Sequence, residues 1–274
     1  MLARKGMPDH FEAWNDRWGA PNGRGKRVAA LLPGDGESLL ARWPRLVGPF
    51  AFQVNNVTRR FEYPWAYFAI APRPGMRALE IGGGLSGLQF VLAMEGVDVT
   101  NVDPGQESAG VGWPVDQAAM ARLNRAFGTD VTLISDTLQG AGLPDAAYDV
   151  VYSISTIEHV APEELPTLMK EVARVLKPGG RCVLTVDLFL NLAPFSDRRE
   201  NTFGVNADLA ALCEWSGLEL VTGERAELCG FPEFSPRAVL ADLESMLVGT
   251  YPSLAQCLVL SRPAAGDGPV HDGP

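Results

Sequence analysis

Lysine is scarce in this chain. Only four occur among 274 residues, at 5, 26, 170 and 177, and the formal charge is −10. So acidic a chain is repelled by a phosphate backbone or an anionic membrane unless a local basic patch overrides the average, which argues against nucleic acid and membranes as partners. The four cysteines, Cys182, Cys213, Cys229 and Cys257, form no C-x-x-C pair and have no companion histidines at zinc-ligand spacing. Reduced, mostly buried thiols are therefore expected, and no metal site. No run approaches the roughly 18 apolar residues of a membrane helix, MLARKGMPDHF lacks the apolar stretch of a secretory signal, and no internal repeat is visible. The expectation is a cytoplasmic protein, its oligomeric state not readable from sequence. Its composition of 46% hydrophobic and 20% charged residues suits one large α/β domain with an appended cap.

From about residue 76, short β-rich runs alternate with longer amphipathic stretches, as in strand–helix–strand units around a parallel sheet. RALEI, VDVTNVD, VTLISD, YDVVYSIS and RCVLTVD read as strands one to five. SGLQFVLAMEG, VDQAAMARLNRAFG and ELPTLMKEVARVL read as helices, stopped by Gly96, Gly128 and the KPGG turn. LELV and LAQCLVLS close the pattern, the latter as an antiparallel strand at the sheet edge. The expected fold is a doubly wound, mostly parallel seven-stranded sheet with an antiparallel last strand and an N-terminal helical cap. Residues 1–70 would form the cap, 71–262 the main domain and 263–274 a disordered tail. The cap holds Trp14, Trp18, Trp43 and Trp65, aromatics that either pack it onto the sheet or line a ligand cleft.

LEIGGGLSGLQ places glycines at 82, 84 and 87 in a G-x-G-x-x-G spacing, between a strand and a helix. Such a loop lets the backbone approach a ligand closely, at the carboxyl end of the sheet where doubly wound folds bind ligands. Asp103, ending strand two, suits the ribose of a nicotinamide dinucleotide or of another nucleoside cofactor. The surrounding charges separate the two: Glu80, Asp103 and Asp136 supply three acids, and no lysine lies in the loops after strands one to three. That set suits a cationic ligand and would repel a pyrophosphate. Nor is there any Tyr-x-x-x-Lys pair for hydride transfer.

LEIGGGLSG, VTNVD, SDTL, LPDAAYDVVYSISTIEHV and EVARVLKPGGRCVLTVD, in this order over residues 76 to 261, resemble the class I S-adenosylmethionine-dependent methyltransferases that act on small molecules. The resemblance implies S-adenosylmethionine as cofactor and S-adenosylhomocysteine as product. It implies that Glu80, Gly82, Gly83 and Gly84 frame the methionine moiety, that Asp103 binds the ribose with Pro104 and Gly105 along the adenine edge, and that Asp136 accepts from the adenine amine with Thr137 and Leu138 flanking. Ser153 and Ser155 would lie beside the transferring methyl.

Methyl transfer from a sulfonium is an in-line displacement, in which the protein chiefly aligns nucleophile, methyl and sulfur. His159, in STIEHV, is the expected base for a hydroxyl acceptor because imidazole titrates near neutrality; capping the next helix together with Glu158 is its structural alternative. Relatives that bind a divalent metal have a glutamate three positions before Glu158, where this chain has Ser155. The expected substrate residues are Arg59, Arg60, Tyr63 and Trp65 before strand one, and Asp187 and Asn191 after strand five, where LFLNLAPFSDRRENTFG, with Arg198 and Arg199, is either a lid or a surface crossover. An NAD-dependent oxidoreductase and a non-catalytic cofactor-binding partner subunit stand as alternatives.

Overall fold

A computed structural model describes residues 1–24, 44–105, 115–249 and 252–264. Trp43 and most of the expected tail fall outside the described residues.

Seven strands form one sheet among the described residues: β1 (Arg77–Ile81), β2 (Asp98–Val102), β3 (Thr132–Ile134), β4 (Tyr148–Ile154), β5 (Leu176–Phe189), β6 (Glu219–Thr222) and β7 (Ser253–Ser261). Their order is β3-β2-β1-β4-β5-β7-β6. β1 to β5 are parallel, and β7 is antiparallel to both its neighbours. The last strand is thus antiparallel as expected, but it lies one place in from the edge, where β6 is the outer strand. Strand order reverses between β1 and β4, and in doubly wound sheets the ligand crevice lies at such a reversal, beyond the carboxyl ends of the strands. The loops after β1 and β4 flank it.

Alternation along the strands divides the core between the two faces. Ala78, Val150, Tyr152 and Ile154 contribute to one cluster, while Leu79, Ile81 and Val151 contribute to the other. The second face is covered by the helix Leu165–Val175, whose Leu165, Leu168, Met169, Val172 and Val175 are buried. On the first face, Phe11, Trp14, Phe50, Phe61, Tyr63 and Trp65 join the same cluster as Phe90, Val91 and Leu123. The aromatics before residue 70 therefore share their core with the sheet. At roughly 1.5–3 kcal/mol for each large apolar side chain removed from water, they hold the segment firmly in place.

Two local features depart from the sequence reading. KPGG does not precede β5 but bulges within it: Tyr148 pairs with Leu176 and Val150 with Arg181, so extra residues loop out. Gly179, at φ 74°, supplies the left-handed turn this requires, and the bulge is pinned by bonds from Gly179 N to Arg262 O and from Arg262 N to Gly180 O, each 2.9 Å. Second, residues 1–3 run alongside β7, a pairing the sequence reading did not anticipate. Leu2 bridges Gln256, Ala3 N donates to Ala255 O at 2.8 Å, and Cys257 N donates to Met1 O at 2.7 Å.

Candidate active site

At one end of the crevice the glycine loop is built from the strands beneath it. Parallel register sets Glu80 of β1 between Asn101 of β2 and Tyr152 of β4. Its buried carboxylate accepts from Ser86 Oγ at 2.9 Å and from Tyr152 Oη at 3.1 Å. Burial pushes its pKa up to about 8, Asp103 adds to the shift, and the two hydroxyls oppose it. A Cβ on Gly83 would lie 2.4 Å from the Glu80 carboxyl carbon, and one on Gly82, at φ 68°, would lie 2.3 Å from Thr156 Cγ2. These glycines let the loop close onto its own support.

The loop amides are accounted for. Asp103 accepts from Gly84 N at one carboxylate oxygen and from Gly105 N at the other, both at 2.7 Å. Asn101 takes the Gly83 N–H at 3.2 Å and donates to the Gly84 carbonyl at 2.9 Å. Gln89 also donates to that carbonyl, and Gln53 accepts from Leu85 N at 2.8 Å. Sequence reasoning missed Asn101, Gln89 and Gln53, because amides that brace a loop carry no motif.

Beyond β4 lies a buried ionic cluster. The helix Arg59–Ile70 crosses here, and Arg59 Nη1 pairs with Glu62 Oε2 at 2.5 Å and donates to Ser155 Oγ at 2.6 Å. Ser155 Oγ in turn donates to Glu62 Oε1 at 2.7 Å and lies 3.5 Å from Asp187 Oδ1. Ser155 has φ 42°, a conformation unfavourable for a residue with a Cβ and of the kind that gathers at functional sites. Burial disfavours the Arg59 charge, yet Glu62 and Asp187 beside it hold its pKa above the ordinary value. Burial likewise opposes ionisation of Glu62, and Arg59 with hydroxyl donors overcomes it. Glu62 escaped the sequence reading, although its i,i+3 spacing from Arg59 was visible.

Glu158 is fully buried, and both its carboxylate oxygens lack a hydrogen-bond partner. Desolvation raises its pKa to about 7, with nearby backbone N–H groups and Arg59 opposing and Glu62 adding. Asp187 is raised well above the carboxylate range by burial and then by Glu158 and Glu62. Next to them, His159 Nδ1 meets the Phe203 carbonyl. A carbonyl only accepts, so Nδ1 carries the proton and the lone pair is at Nε2. His159 is exposed as a residue, while desolvation of its ring sets its pKa below the usual imidazole value against the pull of Phe203 and Asp187. The loop after β5 is ordered here as a hairpin pairing Glu200–Asn201 with Gly204–Val205. Gly204 rests on the Glu158 carbonyl, where a Cβ would come within 1.9 Å.

Residues 79–184 match the family described as methyltransferase domain. The ubiquinone biosynthesis O-methyltransferase of Vibrio cholerae is 31% identical over 147 residues, 53% of this chain and 54% of its own length. Its namesake from Rhizobium johnstonii is 28% identical over 176 residues, 64% of this chain and 60% of its own. The chain thus spans about half the length of the curated relatives it matches. The segment 79–184 is thus similar to a methyltransferase domain. Among solved structures, the 1,6-didemethyltoxoflavin-N1-methyltransferase of Burkholderia thailandensis, with bound 1,6-didemethyltoxoflavin and S-adenosylhomocysteine, aligns with 96% of this chain and 95% of its own at TM-score 0.52 and 16% identity. The 4+2 cyclase SpnF aligns with 74% and 80% at TM-score 0.53 and 20% identity. These two share the fold.

Within the matched segment, the donor set suits a cationic ligand. Each Asp103 oxygen takes one N–H, which leaves each a further lone pair able to accept from a ligand hydroxyl, and among the described residues neither Glu80 nor Asp103 has a cationic side chain as a hydrogen-bond partner. The remaining expected site residues divide. Pro104 and Gly105 follow Asp103 into the crevice, whereas Asp136 is exposed and accepts from the N–H of its neighbour Thr137 at 2.6 Å. Leu138 is buried in the core. Ser153 is fully buried, its Oγ donating to Ile81 O at 3.1 Å. Arg60 points away, paired with Glu12 at 3.2 Å with both side chains about half exposed. Trp65 lies in the core, and Tyr63 packs on Phe50 with its hydroxyl donating to Asn55 at 2.7 Å. Asn191 accepts from Asn201 at 3.1 Å, tying the hairpin to the end of β5. Arg198 and Arg199 are exposed. Among the described residues, no group of three or more His, Cys, Asp or Glu is arranged to hold a metal ion.

Proposed function

We propose that the protein moves a methyl group from S-adenosylmethionine to a hydroxyl oxygen of a small-molecule acceptor. The observation that carries this reading is the strand-order reversal between β1 and β4, with Glu80 and Asp103 gathered on one side of it and the Arg59, Glu62, Ser155, Glu158 and Asp187 cluster on the other. The relatives named O-methyltransferase support oxygen as the acceptor atom. When bound, the cofactor supplies an electrophilic methyl on a positively charged sulfur. Asp103 would hold its ribose, Gly82 to Gly84 with Glu80 beneath would frame its methionine moiety, Pro104 and Thr137 would flank the adenine, and Asp136 would turn out of its own loop to accept from the adenine amine. Ser153 and Ser155 would border the reacting end.

His159 takes the acceptor's proton at Nε2. The Phe203 carbonyl fixes the tautomer, and the lowered pKa keeps the ring neutral at pH 7. Residues 1–70 serve as the acceptor cap on 71–262. Arg59, Tyr63, Asp187 and Asn191 are its nearer acceptor-side residues, and Arg60 and Trp65 its outer ones. No helix among the described residues is long and apolar enough to cross a membrane; the cytoplasm as the protein's location belongs to this proposal.

The fold also hosts a protein named as a cyclase, so a non-methylating role is the second reading. Isothermal titration with S-adenosylhomocysteine and NADH, followed by mass spectrometry of a hydroxyl-bearing acceptor panel incubated with methyl-labelled cofactor, separates the possibilities. Binding of the first ligand alone, with labelled ether products, is the expected result. NADH binding would return the oxidoreductase, and cofactor binding without any product would favour the non-catalytic subunit.

A further inference from the structure

The cluster beyond β4 holds more negative charge than it can balance. Three buried carboxylates, Glu62, Glu158 and Asp187, share one guanidinium, and Arg59 directs its Nη1 to Glu62 and Ser155. Ser155 has a single hydroxyl proton. At 2.7 Å it goes to Glu62, which leaves Asp187 Oδ1, at 3.5 Å, without it. Glu158 has no partner at either oxygen. Among the described residues the groups facing this pair are Arg59 and Glu62 from the crossing helix, His159 from the turn after β4, and, beside Asp187, the Cys257 thiol on β7, which burial and then Glu62 keep protonated. Two neighbouring buried carboxyls, one with only the backbone N–H groups of residues 158 and 187 near it and the other with a hydroxyl at 3.5 Å, do not both ionise, so one proton resides on the pair.

The turn that carries Glu158 also touches the glycine loop. Thr156 Oγ1 donates to Gly82 O at 3.3 Å, and the Gly82 Cα lies against the Thr156 methyl. This contact lies two positions before Glu158 in the chain, which sets the carboxyl pair on the β4 side of the place assigned to the cofactor. We propose that Glu158 and Asp187 together sense the charge on the cofactor's sulfur, keeping a proton when that sulfur is neutral and releasing it to solvent when it is a sulfonium. This rests on the methyltransferase reading. The proton and the sulfonium compete for the same electrostatic vacancy, so the site tells loaded cofactor from spent product by a proton. Affinity for the cation relative to the product then rises with pH.

The test is calorimetric titration of the full chain with S-adenosylmethionine and with S-adenosylhomocysteine, between pH 6 and 8, in two buffers of different ionisation enthalpy. The expected result is a difference between the ligands approaching one proton, with an affinity ratio that rises by up to about tenfold per pH unit across the pair's titration. In Glu158→Gln both effects collapse, and in His159→Asn both persist. Equal proton counts for the two ligands in the wild-type protein overturn the inference. So does the opposite pattern, loss in His159→Asn with persistence in Glu158→Gln, which would assign the proton to the imidazole. If neither ligand binds, the methyltransferase reading fails and takes this inference with it.

Discussion

The two ends of the crevice use polar groups in opposite ways. At the glycine loop, the N–H groups of residues 83 to 85 each have a side-chain acceptor, in Asn101, Asp103 and Gln53. Beyond β4, one guanidinium serves three carboxylates, a serine sits at φ 42°, and a buried glutamate has no partner. A satisfied network fixes geometry before any ligand arrives. A network short of donors is poised to change when charge or protons change. Rigidity belongs to the end that would hold the cofactor, and electrostatic responsiveness to the end where methyl transfer would occur.

Breaking the acidic end should give the largest effect. Arg59→Ala leaves Glu62 buried and unpaired, and chemical denaturation should show a loss of about 3–5 kcal/mol; a loss under 1 kcal/mol would mean the cluster is wetter than described. At the other end, Asp103→Ala removes the acceptor for two loop N–H groups together with the proposed ribose contact. Cofactor affinity should fall by about a hundredfold or more while the circular dichroism spectrum is retained, and near-normal affinity would remove the ribose assignment. His159→Ala should slow turnover by about a hundredfold with cofactor affinity little changed. The wild-type rate should rise with pH through a value below the usual imidazole pKa and then level off, and an unchanged rate in the variant would leave the ring only its contact with Phe203.

Glu80 sharpens the comparison by pH. Its folded pKa of about 8 lies above its unfolded value, so its contribution to stability is complete below pH 4.5 and declines as pH rises towards 8. The slope is at most about 1.4 kcal/mol per pH unit, and Glu80→Gln should flatten the stability profile over that window. The smallest effect belongs to Arg60→Ala. Its pairing with Glu12 is half exposed, so stability should change by less than about 1 kcal/mol; a marked rise in the KM for an acceptor would bring Arg60 back to the site.

Much of the fold was legible because burial leaves a periodic trace. The runs RALEI and YDVVYSIS alternate between faces, and the apolar stripe from Leu165 to Leu176 repeats at helical spacing. KPGG misled because proline and glycine read as a stop, whereas the partner strand β4 and Arg262 let β5 absorb the extra residues as a bulge. The pairing of residues 1–3 with β7 had no local signal, since its partner lies some 250 positions away. In the site, acids at strand ends were visible by position. Their division into satisfied Asp103 and orphaned Glu158 depends on neighbours brought by other elements, which one sequence does not display.

The N-terminal pairing also bears on how the first residues are held to the sheet. The segment over the acidic cluster is fastened at one end by residues 1–3 on β7 and at the other by the chain's passage into β1. A flap hinged at one side could swing away as a unit. A strip secured at both sides has no free end, and a substitution at Ala3 or Gln256 would release one of its two fastenings without touching the crevice.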